Sequence, residues 1–263
     1  MMYVVLIAAV FILAGLQYAR IDVTHQYIDT GLNKDIVICV LADLHCRRFG
    51  EKQSRILKVL EKEKPDIVVI PGDLFDVDRD FEISFELLEG LKDYPVYFCS
   101  GNHDMYLNEI NDLRKRMSET GVHVIEDCSE IREVQGKKIR ITGLTDHGRK
   151  PVFTPQEVKE MMKGKADYDV VLYHRPAYPD YFKTLPCNLV ISGHAHGGQW
   201  CIPFTRKGLY APQEGLFPKY TAGMYKEGSV YCCISRGLAS GTPWLFRLYN
   251  NPEIVMIHLG KKY

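Results

Sequence analysis

The sequence predicts an α/β fold in which a parallel sheet with crossover helices packs against a second sheet. Three observations predict it. Residues 36–42, 66–70 and 95–99 read as short strands, the first a continuous β-branched apolar run of the kind buried on both faces. Amphipathic helical segments alternate with these runs, the order of right-handed parallel crossovers. The second half of the chain carries six more strand-like runs and few helical signals.

In chain order, residues 1–20 read as a membrane anchor, 21–35 as a linker and 36–263 as one large domain. Residues 2–19 form an 18-residue apolar run interrupted only by Gln17, just long enough to cross a bilayer. No Lys or Arg precedes the run and no A-x-A follows it, as a cleaved signal peptide would require. A single-pass transmembrane helix is therefore expected. Arg20, the first flanking cation, places the main domain on the cytoplasmic side by the positive-inside rule.

Residues 51–64 predict a charged helix with Ile56, Leu57 and Leu60 on one side, ended by Pro65. Residues 81–91 predict a second, with Phe81, Phe85 and Leu88 on one stripe. Residues 139–143, 169–173, 189–192, 230–235, 244–248 and 254–259 read as strands, and 155–163 as a helix. Residues 200–227 are rich in Pro, Gly and aromatics without a period, and read as a long irregular excursion. Its Phe204, Leu209, Tyr210, Leu216, Phe217 and Tyr220 either meet an acyl chain or cover the second sheet.

With 33 basic and 33 acidic residues the formal net charge is zero, so non-specific attraction to nucleic acid is not expected. The eight cysteines show neither a zinc-knuckle nor a redox CxxC spacing, and read as small buried hydrophobes in a reducing compartment.

The chemistry sits in short polar motifs that follow apolar runs: Asp43-Leu44-His45, Gly72-Asp73, Gly101-Asn102-His103-Asp104, Tyr173-His174 and Gly193-His194-Ala195-His196. Asp43, His45, Asp73, Asn102, His174, His194 and His196 are candidate metal ligands. Their donors are oxygen and imidazole, with no thiolate. That suits two divalent cations of the manganese, iron or zinc kind sharing one carboxylate. Asp43 and His45 are two apart, and on an extended backbone would point to one side, as would His194 and His196. Asp73 is the best-placed bridging carboxylate. His103 is placed to face a substrate, with Asp104 holding its ring in one tautomer. His25, His123, His147 and His258 lie outside the pattern. Arg236 and Arg247 could contact phosphate oxygens or form structural ion pairs. Ligands of open parallel sheets gather beyond the carboxyl ends of the strands, where the first three motifs sit.

This series, in this order, resembles the calcineurin-like metallophosphoesterase superfamily over about residues 37–196. Gly193 to Gln199, Ser235-Arg236-Gly237 and Asn251-Pro252-Glu253-Ile254 are similar to a branch of membrane-associated bacterial phosphoesterases. That branch includes enzymes that split the pyrophosphate of a UDP-linked diacylated glucosamine. The resemblance implies two mixed β-sheets packed as a sandwich and flanked by helices, in four layers αββα. It implies one cation on Asp43, His45, Asp73 and His196, and another on Asp73, Asn102, His174 and His194. It implies a phosphodiesterase-type hydrolase in which two divalent ions, manganese first among them, activate a bridging hydroxide. His103 would steady charge on the phosphoryl oxygens and protonate the leaving group. The substrate would be a phosphoester, lipid-linked or otherwise derived from the envelope. Two other readings stay open: a non-catalytic scaffold on the same fold, and a nuclease, which neutral charge and the anchor disfavour. Cys46-Arg47-Arg48 departs from the small or apolar residues many relatives carry there.

Overall fold

The computed structural model describes residues 20–202, 208–211, 214–239 and 247–260. The expected anchor at 1–20 lies, except for Arg20, outside the described residues. Among the described residues no helix is long and apolar enough to cross a membrane.

In chain order the strands are β1 (Asp22–Asp29), β2 (Ile36–Val40), β3 (Ile67–Pro71), β4 (Val96–Cys99), β5 (His123–Val124), β6 (Cys128–Val134) and β7 (Lys137–Leu144). They continue with β8 (Tyr168–Tyr173), β9 (Leu189–Ser192), β10 (Tyr210–Ala211), β11 (Gly215–Leu216), β12 (Gly223–Glu227), β13 (Val230–Ile234) and β14 (Glu253–Gly260). The helices are α1 (Ser54–Glu63), α2 (Glu82–Gly90), α3 (Asn102–Met105), α4 (Ile110–Glu119), α5 (Pro155–Met161) and α6 (Pro179–Phe182).

One six-stranded sheet has the order β1-β14-β2-β3-β4-β5, and a second the order β12-β13-β9-β8-β7-β6. β2 to β5 run parallel, as expected of strands joined by helices. β14 enters antiparallel beside β2, so the first sheet is mixed. In the second sheet β7, β8, β9 and β13 are parallel, with antiparallel β6 and β12 at its edges.

Alternation along each strand builds the layers. Ile38, Val40, Ile67 and Val69 point inward, against Ile141, Val170, Leu172, Leu189 and Ile191 of the second sheet. Cys39, Val68, Ile70 and Phe98 point outward, onto Ile56 and Leu60 of α1, Phe85 and Leu88 of α2, and Leu113 and Met117 of α4. On the far side Val171 and Val190 pack with Val158 of α5 and Phe182 of α6. Each apolar side chain so buried is worth roughly 1.5–3 kcal/mol.

Two elements in particular depart from the sequence reading, and a third is largely untested. Residues 21–35, read as a linker, contain β1, which pairs in parallel with β14 from Asp22↔Glu253 to Asp29↔Gly260. Its sequence, Asp-Val-Thr-His-Gln-Tyr-Ile-Asp, is an edge strand whose polar residues hide the pattern. Helix α4 was not anticipated, because charged residues outnumber the buried Ile110, Leu113 and Met117. The strand expected at 244–248 falls mostly outside the described residues; Leu248 makes an isolated bridge with Trp200.

Candidate metal centre

The parallel strands of both sheets end on one side of the molecule, and the polar motifs are the loops that leave them. Asp43 and His45 follow β2, Asp73 follows β3, Asn102 and His103 open α3 after β4, His174 follows β8, and His194 and His196 follow β9. The two sheets meet there through hydrogen bonds between their loops. His174 Nδ1–H donates to the carbonyl of Pro71 at 2.8 Å, and His194 N–H to Asp43 Oδ1 at 3.0 Å.

These loops are tightly coiled. Asp43, His45, Asp73, His194 and His196 have φ between 48° and 65°, a left-handed conformation costing non-glycine residues roughly 1–2 kcal/mol each. The expected geometry, two ligands on one side of an extended strand, is therefore corrected. The strands stop before the ligands, and turns aim the side chains. The backbones approach so closely that a Cβ on Gly101 would lie 2.3 Å from Asp73 Oδ1. A Cβ on Gly237, at φ +70°, would lie 2.4 Å from Asp43 Oδ2.

The structure brings all seven nominated donors to this end, nearly all of them buried within a few per cent of completely. Asp43, His45 and His196 form one cluster with ligand atoms within 4.8 Å of one another; Asp73, His174 and His194 form a second. Asp73 stands between them. Its Oδ2 is 3.0 Å from His174 Nε2 and 3.7 Å from His45 Nε2, and its Oδ1 accepts the N–H of His103 at 2.9 Å.

The donor set fits divalent ions on one physical criterion, its orphaned lone pairs. His45 Nε2, Asn102 Oδ1 and His196 Nδ1 are buried without a hydrogen-bond partner, and Asp73 Oδ2 and His174 Nε2 have none beyond each other. Such groups cost about 1–3 kcal/mol each unless something satisfies them. The 3.0 Å between Asp73 Oδ2 and His174 Nε2 is also about the separation of two ligands sharing a cation through bonds near 2.1 Å. The Pro71 carbonyl holds His174 in the tautomer that leaves Nε2 free.

Charge follows the same logic. Burial and neighbouring positive charge hold His194 and His196 well below the usual imidazole range, neutral as ligands must be. Burial pulls His174 down, but the Asp73 and Asp43 carboxylates outweigh it and raise the imidazole to about 10. Burial likewise pushes Asp73 up, and His174 and His45 more than reverse it.

His103 lies at the rim, its side chain 27% exposed. Its expected partner is corrected. Asp104 does not touch the ring; its carboxylate accepts the backbone N–H groups of Asp73 at 2.7 Å, Gly101 at 2.9 Å and Phe75 at 2.9 Å. Asp104 therefore ties the β3 loop to the β4 loop. The ring is held by Asp76, whose Oδ1 is 2.7 Å from His103 Nδ1. The other oxygen of Asp76 lies 3.2 Å from His45 Nδ1, and His45, Asp76 and His103 form a third cluster with ligand atoms within 4.8 Å of one another. Burial lowers the His103 imidazolium, but the Asp76 hydrogen bond and the Asp73 charge outweigh it, and the net shift is upward. Sequence reasoning missed Asp76. It lies three residues after Asp73, but Asp78 and Asp80 compete for the same reading.

Arg236 pairs with Glu253 at 3.1 Å and Asp22 at 3.2 Å, and Arg247 donates to the carbonyls of Gly237, Arg236 and Ala239. Both hold the loop that carries Gly237. His123 and His147 pair with Glu130 and Asp127, and His25 with His258, outside the three clusters. All eight cysteines are free, six of them buried.

The family model for calcineurin-like phosphoesterases matches residues 36–198. The chain is 28% identical over 230 residues to phosphodiesterase YaeI of Escherichia coli, covering 84% of this chain and 81% of that protein. It is 26% identical over 226 residues to the uncharacterized metallophosphoesterase YkuE of Bacillus subtilis, covering 80% of this chain and 73% of that one. Among solved structures, TT1561 of Thermus thermophilus superposes with a TM-score of 0.54 at 11% identity, covering 78% of this chain and 90% of that one, a likeness of fold.

Proposed function

The chain belongs to the calcineurin-like phosphoesterase family and is a metal-dependent phosphoester hydrolase; from that premise we propose that it cleaves phosphodiesters at a dinuclear centre. One cation would be held by Asp43, His45, Asp73 and His196, the other by Asp73, Asn102, His174 and His194. The observation that carries this reading is the set of orphaned lone pairs converging from five separate loops. Manganese is the proposed metal, and iron or zinc would suit the same donors. When bound, the pair supplies Lewis acidity toward the phosphoryl oxygens and acidifies a water near neutral pH.

The protein's own groups do the rest. Asp73 holds the two halves of the site in register. His103, oriented through Nδ1 by Asp76, presents Nε2 to the substrate. There it steadies charge on a phosphoryl oxygen and passes a proton to the leaving oxygen. The experiment is hydrolysis of bis-p-nitrophenyl phosphate with manganese, alongside elemental analysis. Asp73→Ala is expected to lose turnover and metal together, and His103→Ala to keep metal and lose rate. Normal turnover by metal-loaded Asp73→Ala would sink the proposal.

The substrate proposed is a phosphoester of the membrane or envelope, with the protein anchored by residues 1–20 and its domain on the cytoplasmic side. Two observations support it. Residues 2–19 are apolar except for Gln17, and six of the eleven exposed large hydrophobics among the described residues lie in or beside the excursion. They are Trp200, Ile202, Tyr210, Leu216, Phe217 and Tyr249. Tyr210 pairs with Leu216 across the β10–β11 hairpin, and Trp200 bridges Leu248. The excursion leaves directly from the loop of His196. A UDP-linked diacylated glucosamine is the specific lipid pyrophosphate to test. Its hydrolysis should fall when Leu216 and Phe217 become Ser, while bis-p-nitrophenyl phosphate turnover stays; equal rates on both substrates would reject the lipid reading.

A further inference from the structure

We propose that Arg175 is a substrate-binding residue that grips a non-bridging phosphoryl oxygen beside the metal centre, an inference that rests on the hydrolase reading above. Arg175 follows His174 at the carboxyl end of β8 and is 6% exposed. A buried guanidinium needs a compensating anion, and Asp146 supplies it through one contact, Arg175 Nε to Oδ2 at 2.6 Å. Asp146 is itself fixed: its N–H donates to the Ser100 carbonyl at 3.2 Å, and its Oδ1 accepts the Gly148 N–H at 3.2 Å.

Arginine–carboxylate pairs are frequently bidentate, with two parallel N–H groups on both carboxylate oxygens. Here the carboxylate takes Nε alone, which orients the fork and leaves both Nη groups undrawn by it. Among the described residues, the one partner of those groups is His194 Nε2, 3.3 Å from Nη1. That places the open edge of a buried cation against a residue of the Asp73–His174–His194 cluster. The contact is long and to a neutral imidazole, so an anionic phosphoryl oxygen would displace it readily. The planar, permanently charged fork then matches two oxygens of one phosphate. Lysine could supply the charge but not the fork.

The test uses the full chain loaded with manganese. Inorganic phosphate is titrated calorimetrically, metal content is measured by elemental analysis, and kcat and KM are taken on bis-p-nitrophenyl phosphate. Arg175→Lys keeps a cation against Asp146. The double variant Arg175→Met, Asp146→Leu removes the buried pair together, so no lone charge remains. Both variants are expected to keep the wild-type metal content and to weaken phosphate binding about tenfold or more. KM should rise in parallel. Phosphate affinity within twofold of wild type at full metal content would overturn the proposal. So would metal loss in proportion to phosphate loss, which would make Arg175 a prop for His194. Wild-type protein that binds phosphate but cleaves no diester would refute the hydrolase reading, and the phosphate titrations would still decide Arg175. Wild-type protein that binds no phosphate overturns the Arg175 proposal, and the diester assay alone decides the hydrolase reading.

Discussion

Nδ1 of His103 lies 2.7 Å from Oδ1 of Asp76, a buried carboxylate. The bond engages Nδ1 of the imidazole, and raises the ring's affinity for a proton. Asp76→Asn should therefore lower kcat on a generic diester by about 10–100-fold at saturating manganese, and should weaken metal binding as well, because Asp76 also meets His45 Nδ1. The sign of the pH effect follows. Asp76 pushes the imidazolium upward, so its loss moves the alkaline limb of the kcat profile to lower pH. A pH–rate series on the two proteins checks both; an alkaline limb unmoved in Asp76→Asn would assign that limb to another group.

Asp104 predicts a different phenotype from His103, although the two are neighbours. Its carboxylate accepts three buried backbone N–H groups. Asp104→Ala orphans them, and should destabilise the protein by about 3 kcal/mol, roughly 6–12 °C in Tm. Thermal unfolding reads this directly. A Tm within 2 °C of wild type, on that roughly 2–4 °C per kcal/mol scale, would mean water replaces the carboxylate.

Gly237 lies far from the nominated ligands in sequence, yet its α-carbon faces the carboxylate of Asp43. Gly237→Ala adds a methyl where Asp43 Oδ2 stands, at a φ that side chains rarely adopt. Displacement of one ligand by about 1 Å costs on the order of 100-fold in rate. Weaker manganese binding should accompany the loss, seen by titrating metal into chelated protein.

Metal and protons should compete. In chelated protein His174 holds a proton, since Asp73 and Asp43 raise it to about 10. That pairing stabilises the metal-free fold fully below the unfolded imidazole value of 6.5 and is lost as pH rises through about 10. Metal binding must expel this proton, so manganese affinity should rise with pH across the neutral range. Calorimetry in buffers of different ionisation enthalpy counts the proton. Chelation should also lower Tm, by an amount equivalent to about 2.7 kcal/mol where metal had stood at 100 times its dissociation constant. Restored manganese should return both Tm and turnover.

Much of the architecture was legible because strands buried on both faces must be apolar and must stop where polar residues begin. Runs such as 36–42 and 189–192 marked β2 and β9, and the polar residues just beyond them marked the loops of the site. Edge strand β1 and helix α4 were not legible. An element that buries few side chains leaves little pattern, and β1 is decided by its pairing with β14, which follows it by more than 200 residues.

By itself the sequence determined which residues offer lone pairs and protons at the ends of strands: Asp43, His45, Asp73, Asn102, His103, His174, His194 and His196. Only the tertiary structure decided what surrounds them. Left-handed turns, rather than extended backbone, aim the ligands. Asp76, rather than Asp104, holds His103, and Gly237 yields space to Asp43 across nearly the whole chain. The reason is that composition and spacing record which donors exist, whereas partnership depends on distances set by two sheets packing face to face.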